Sequence, residues 1–238
     1  MGYLNSAVSS PHALLEVARK RIPGVEPLNI FGVNRAVDTA FETLWDGPNG
    51  FTLPGSALQM TAASSSASDT MPLLIQGLDE DYQEISDIIT LNGTTGVTTT
   101  QNFFRINSAV ILSGSNAGNI SISNGGAVYA YIGVEIGLTQ ACAYTVPADH
   151  ELFLFRIDLT SGTVNPNKYI SYRNVTRTAT GRVLRVAEAT WQTGQQSFDR
   201  QVPFRIAEKT DFSFEAKSSS GSNEVSIFVE GLLMEVRS

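Results

Sequence analysis

The stretch FETLWDGPNGFTLPGSALQMTAASSS at residues 41–66, continued by GLDEDYQEISDIITLNG at 77–93, decides the fold class. Short apolar or β-branched runs are broken there by Gly, Pro, Asn and Asp, which is how a sheet protein is written, and no cluster of catalytic residue types interrupts the pattern. The same rhythm continues to the C-terminus. Predicted strands are Ala57 to Ala62, Leu73 to Leu78, Gln83 to Leu91, Phe103 to Ser113, Asn119 to Ser123, Val128 to Ile136, Ala143 to Thr145, Glu151 to Leu159, Ile170 to Thr176, Val183 to Trp191, Phe204 to Ala207, Asp211 to Lys217 and Val225 to Glu235. Turn chemistry separates them at Asn92-Gly93, Ser115 to Gly118, Asn124 to Gly126, Pro147 to Asp149, Asn165 to Asn167 and Ser218 to Asn223. Many strands at close spacing indicate an all-β fold, an antiparallel β-sandwich with the jelly roll as leading topology.

Alternation is clean in FLFRIDL, where Phe153, Phe155, Ile157 and Leu159 fall on one face and Leu154, Arg156 and Asp158 on the other. In RVLRVAEATW both faces are mixed, with Val183, Arg185, Ala187 and Ala189 set against Leu184, Val186, Glu188 and Thr190. That second pattern is consistent with a subunit contact.

Upstream of the deciding stretch the signals change. SSPHALLEVARKRIPGVEP offers Ser9 or Ser10 as a cap, Pro11 in the first turn, Leu14, Leu15 and Ala18 at helical spacing, and Arg19, Lys20 and Arg21 at the favourable end of the dipole. A short helix ending before Pro23 and Gly24 is expected, too poor in apolar positions to stand without docking on something else. LNIFGVNRAVDTAFETLWD then scatters Ile30, Phe31, Val33, Phe41, Leu44 and Trp45 without a sustained period. It reads as an extended arm, so residues 1–46 are assigned to an N-terminal arm and 47–238 to one sandwich domain. Because the arm is too irregular to bury them itself, Ile30, Phe31, Phe41, Leu44 and Trp45 are the candidate partner-binding residues.

Composition limits the function. With 42% hydrophobic and 16% charged residues the chain can fill a core, and its 238 residues suit one large all-β unit or two small ones. A formal net charge of -7 argues against a nucleic-acid partner, since nonspecific affinity for phosphates comes from Lys and Arg. The single cysteine, Cys142, excludes an intrachain disulfide and a cysteine-based zinc site. No apolar run approaches the roughly 18 residues of a membrane helix, and the start lacks a signal-peptide pattern, so a soluble chain made in the cytoplasm with no membrane partner is expected.

Candidate chemistry is sparse. His12 and His150 are the only histidines, and His150 in TVPADHE reads as a turn residue rather than a catalytic one. Asp79-Glu80-Asp81 lacks the interleaved glycines of a calcium loop and reads as a solvated turn. Asp69-Thr70 and Thr210-Asp211 read as local side-chain to backbone bonds at strand ends. SGSNAGN and SNGGA lack the lysine of a phosphate loop and read as hairpin turns. Trp45, Trp191, Tyr129, Tyr131, Tyr169 and Tyr172 allow a sugar-binding platform, set against the commoner role of aromatics as sheet packing. No catalytic residue, cofactor or metal is assigned.

The order NIFGVNRAVDTAFETLWDG (29–47), ASSSASDT (63–70), GLDEDYQEISDIITLNGTTGVTTT (77–100), FFRINSAVILSGSNAGNISI (103–122), YTVPADHELFLFRI (144–157) and PFRIAEKTDFSFEAKSSSGSNEVSIFVEGLLME (203–235) resembles virion structural proteins of tailed bacteriophages, including marine and cyanobacterial phages. The resemblance implies a β-sandwich of jelly-roll type located in the virion. It implies a non-enzymatic capsid decoration or cement protein, or else a head-to-tail (neck) or tail component. Its implied partners are itself, as a homo-oligomer and most plausibly a trimer, and the major capsid protein or other virion proteins. Two other classes compete: a receptor-binding, glycan-binding module, and a depolymerase, which would need a pair of carboxylates at a suitable separation.

Overall fold

The computed structural model describes residues 13–162, 167–192 and 194–236; Ser9, Ser10, Pro11, His12 and part of the turn at 165–167 lie outside the described residues. In chain order the elements are α1 (Ala13–Ala18), β1 (Val25–Val37), β2 (Glu42–Thr43), β3 (Leu58–Ser64), β4 (Pro72–Leu78), β5 (Glu84–Thr90), β6 (Val97–Phe103), β7 (Arg105–Ile111), β8 (Ile120–Asn124), β9 (Ala127–Ile132), β10 (Ala143–Thr145), β11 (His150–Ser161), β12 (Tyr169–Thr178), β13 (Val183–Gln192), β14 (Gln195–Ile206), β15 (Thr210–Ser218) and β16 (Asn223–Glu235). Every pairing is antiparallel.

The chain builds two β-sandwiches, one inserted into the other. The outer one packs the sheet β1-β16-β11-β14 against β10-β15-β12-β13, with β2 also on β15. Its core includes Leu44, Leu152, Leu159, Phe212, Phe214 and Val229. Between β2 and β10 the chain leaves to form the inner sandwich, β6-β3-β8-β9 against β5-β4-β7, around a separate core of Met60, Leu73, Ile75, Phe103, Ile120 and Ile132. All thirteen strands predicted from the sequence are strands here, within a few residues at their ends. β1, β2, β6 and the first part of β14 were not predicted.

The domain assignment is therefore corrected in two ways. Residues 47–238 hold two cores instead of one, and the arm does not exist as an arm from Val25 onward. β1 is an edge strand of the outer sandwich, hydrogen-bonded to β16 from Val25↔Met234 to Val37↔Asn223. Its aperiodic appearance has a local cause. A methyl group at Gly32 would lie 2.3 Å from the Cys142 amide nitrogen and 2.4 Å from the Leu44 carbonyl oxygen, so glycine is what lets the two sheets approach there. Of α1, Val17 is buried while Leu14 and Leu15 are exposed, so the helix touches the body along a narrow strip.

β11 corrects the alternation read in FLFRIDL. The register slips between Leu154 and Arg156 against both neighbours, a bulge at Phe155. Leu152 and Leu154 are buried before it, and Leu159 and Ser161 after it. One extra residue moves the buried set from even to odd positions.

Candidate interaction surface

Of the five residues expected to face a partner, three are buried within this chain. Ile30 is 7%, Leu44 0% and Trp45 5% exposed, and the first two belong to the outer core. Pairing of β1 with β16 and of β2 with β15 supplies the burial that the sequence pattern left unassigned. Phe31 stands on the outer side of β1 and is exposed, and Phe41 is half-buried. The structure thus removes the need for a neighbour at Ile30, Leu44 and Trp45, and does not bring the five together as one surface.

Phe41 and Trp45 do share a feature, a cleft of about 530 Å³ between β2, the loop at 47–51 and the outer face of β12 and β15. Glu215 is buried at its base, with its carboxylate 2.6 Å from Arg173 and 3.7 Å from Arg177. Phe41 lies under two cations, 4.0 Å from the Arg173 guanidinium and 4.5 Å from Lys217 Nζ. Trp45 meets Phe51 edge to face at 5.5 Å. Gly47 runs against the indole so closely that a methyl group would sit 2.4 Å from it. On the rim, Asn34 Nδ2 donates to Glu42 at 3.0 Å.

A buried joint locks the two sandwiches together. Arg105 of β7 donates from Nε and Nη2 to the two carboxylate oxygens of Asp211 on β15, at 2.7 and 3.0 Å, and from Nη1 to the Pro54 carbonyl oxygen. Thr145 Oγ1 donates to the same carboxylate, Asn107 exchanges two bonds with the Thr145 backbone, and Phe104 lies under the guanidinium. The fork matches the carboxylate, and Nη1 also donates to the Phe104 carbonyl oxygen at 2.8 Å, so the desolvated pair is well supplied with partners. The expectation that Asp211 makes only local bonds is thereby corrected. Its partner is 106 residues away in sequence.

Asp69 is also more than a local cap. It accepts bonds from Ser64 Oγ at 2.6 Å and from the amides of Ala117 and Gly118 at 2.8 and 3.0 Å, tying two loops of the inner sandwich. Burial pushes its pKa up, but these bonds outweigh it and hold the carboxyl below its ordinary value.

His150 Nδ1 lies 2.8 Å from the Ala148 carbonyl oxygen and donates to it at the turn into β11. Asp79 Oδ1 accepts from the amides of Asp81 and Gln83, closing its own turn. Tyr172 packs against Trp191, Phe198 and Phe214, while Tyr169 is exposed. The aromatics named as a platform are thus divided between packing positions and separate surfaces. Cys142 is fully buried, and burial pushes its thiol pKa up, away from reactivity. Among the described residues no helix is long and apolar enough to cross a membrane, and no three His, Cys, Asp or Glu side chains gather as a metal site.

One flank of the outer sandwich is different from the rest. β13 ends one sheet and β14 ends the other. The six residues from Val183 to Glu188 are all exposed, with Val183 at 47%, Leu184 at 36% and Val186 at 40%, and Val202 on β14 reaches 77%. β14 is interrupted where Arg200, Gln201, Val202 and Pro203 stand opposite Phe155 alone. Such a bulge, with a proline that cannot donate, blunts an edge. β13 has its own bulge at Val186, where its register against β12 slips by one residue, but it carries no proline or lysine and its outer edge has no partner strand among the described residues.

No family model matches this chain, and no curated protein matches it. Solved structures with some similarity include that of infectious bursal disease virus Gx strain, 8% identical over 88% of this chain and 71% of that chain, with a TM-score of 0.25. A VP2 subviral particle of infectious bursal disease virus is 10% identical over 96% and 83%, with a TM-score of 0.22. A protein from Parabacteroides distasonis is 10% identical over 91% and 93%, with a TM-score of 0.20. Scores this low do not establish a shared fold.

Proposed function

We propose that this protein is a non-enzymatic structural component of a virus particle, and more narrowly a decoration protein that docks on the assembled head of a tailed phage through its β13 flank. The observation that carries the reading is that flank, an open strand edge bearing consecutive exposed residues on an otherwise well-packed body. A neighbouring chain can add a strand there, with main-chain bonds giving affinity and Val183, Leu184 and Val186 giving contact area. Binding to the assembled shell and not to its free subunits would stabilise the shell by mass action.

Topology supports the reading. In the outer sandwich the pairs β1 with β16, β10 with β15, β11 with β14 and β12 with β13 form one antiparallel ribbon whose successive pairs alternate between the two sheets. We infer from that wrapping that the outer sandwich is a jelly roll, an architecture used by capsid proteins and lectins among others. Fold alone does not assign a role, so the proposal also leans on the sequence resemblance to phage virion proteins. Self-association through the same edge, with a trimer as the preferred state, belongs to the proposal.

The test is microscopy of purified particles carrying a C-terminal tag on this chain. Label over the whole head supports decoration. Label confined to one vertex or to the tail tip replaces it with a neck or tail role, and particles without label overturn the virion reading.

A further inference from the structure

We propose that the cleft beside β2 binds a neutral oligosaccharide. No lining residue of the cleft belongs to β13, although Arg177 on β12 pairs with Val183, and the argument holds whether or not the chain is a particle protein. Its volume of about 530 Å³ falls in the range of small-molecule sites, and it is an open trough rather than a closed cavity, which suits part of a longer chain.

Charge selects the ligand class. The lining carries two carboxylates, Glu42 and Glu215, and one guanidinium, Arg177, while Arg173 holds Glu215 from behind and Lys217 lies over Phe41, so acidic and basic groups are mixed and neither sign dominates. A phosphate would meet the carboxylates and an organic cation would meet the arginines. A polyhydroxylated neutral ligand can use both kinds of group at once, since guanidinium, carboxylate and amide are planar groups able to bond two adjacent hydroxyls.

The polar groups are also held ready. Glu215 is fixed from below by Arg173, so Arg177, whose bond to Glu215 is long at 3.7 Å and whose side chain is 40% exposed, keeps donors for the cleft. Asn34 fixes Glu42 from the side. Asn49, at the loop tip, adopts φ 58°, the left-handed conformation that asparagine tolerates, and lines the opposite wall. Phe51 supplies an apolar ring surface, set by its edge-to-face contact with the buried Trp45. Aromatic surface beside planar polar groups is what a pyranose, with one apolar face and an equatorial belt of hydroxyls, requires.

The experiment is saturation-transfer NMR on the full chain with a panel of maltotriose, cellotriose, mannotriose and chitotriose, alongside glucuronate and inorganic phosphate. Transfer to at least one neutral trisaccharide is expected, with loss of the signal in Arg177→Met and in Phe51→Leu and retention in Val202→Ser. Both variants alter partly exposed side chains, and an unchanged thermal midpoint confirms that they fold. Phe51 is the sharper arm, because an adventitious polar contact would not depend on the ring. No transfer from any trisaccharide overturns the proposal, as does binding of glucuronate or phosphate alone or binding that survives both substitutions.

Discussion

Two neighbouring strand pairs of the outer sandwich have similar lengths and opposite fates. β15 is buried along almost its whole length, because β12 pairs with one edge, β10 and β2 share the other, the outer core covers Phe212, Phe214 and Ala216, and Arg105 of the inner sandwich closes over Asp211. β16 lies between β1 and β11 and alternates buried with half-buried. β13 and β14 each end a sheet, and exposed residues dominate both. The difference does not come from apolar content, since VLRVAEATW and TDFSFEAKS are both mixed. It comes from what the topology lays over each strand. Hydrophobic residues left uncovered by the chain's own fold are the ones available to a partner.

The largest effect is expected from removing β1. Deleting residues 25–37 turns β16 from an interior strand into an edge, exposes Ile227 and Val229 beside it, and removes Ile30, Val33 and Val37 from the interior. Such a chain should lose its cooperative unfolding transition altogether. A truncated protein that still melts cooperatively near the full-length midpoint would mean that the position of β16 between two strands is not what distinguishes it from β14.

Next come single residues on β15 and on β7 where it meets β15. Phe214→Ala should destabilise by about 3–5 kcal/mol, the usual cost of emptying a large aromatic site in a core. Arg105→Ala leaves Asp211 buried without its counter-charge, and breaking such a pair typically costs about 3–5 kcal/mol. The double change Arg105→Met with Asp211→Leu should recover much of that loss, because it removes the unpaired charge. Chemical denaturation of the four proteins checks both, and equal losses in the Arg105 single and double variants would show that geometry, and not charge, joins the sandwiches.

Much of this comparison could be seen in the sequence, and some could not. TDFSFEAKS and the strands of the inner sandwich other than β6 announce themselves through local alternation and turn residues, which depend only on near neighbours. β1 did not, because Gly32 and a register slip against β16 between Asn34 and Val37 interrupt its pattern. Assigning Ile30, Leu44 and Trp45 to a partner followed from that gap, since Ile30 pairs with Val229, Thr43 beside Leu44 pairs with Glu215, and Trp45 bridges Ala141, all far along the chain. The Phe155 bulge hid a change of phase inside a segment that looked regular. The joint between Arg105 and Asp211 has no local signature. The mixed faces of β13 were legible, and they did mark the open flank.

Acid gives a smaller effect that falls outside the flank. Asp69 is held below its ordinary pKa, so the unfolded chain takes up its proton more readily than the folded one. Its contribution is present above the unfolded value of about 3.9 and is lost as the pH falls through the folded value. Wild-type stability should therefore drop below about pH 4 more steeply than that of Asp69→Asn, which starts lower at neutral pH by about 1–3 kcal/mol for the lost bonds. Hydrogen exchange at low pH should show the loops at 64–69 and 116–119 opening before β15. If the two proteins lose stability in parallel, the acid response originates elsewhere.

The smallest effect on stability is expected where the proposed function lies. Val183, Leu184, Val186 and Val202 already face solvent, so replacing them with serine removes little buried area, and each change should stay within about 0.5 kcal/mol of wild type. Their effect should appear instead in association. Sedimentation of the wild-type chain should show a concentration-dependent oligomer, and the combined Val183, Leu184 and Val186 serine variant should shift toward monomer at the same concentration. Val202→Ser acts as the internal contrast, because it sits on a bulge next to Pro203, where the edge is interrupted and a strand cannot add. If the β13 variant associates as the wild type does, the flank is merely solvated. Equal loss of association from Val202→Ser would place the contact on β14 and not on the open edge of β13.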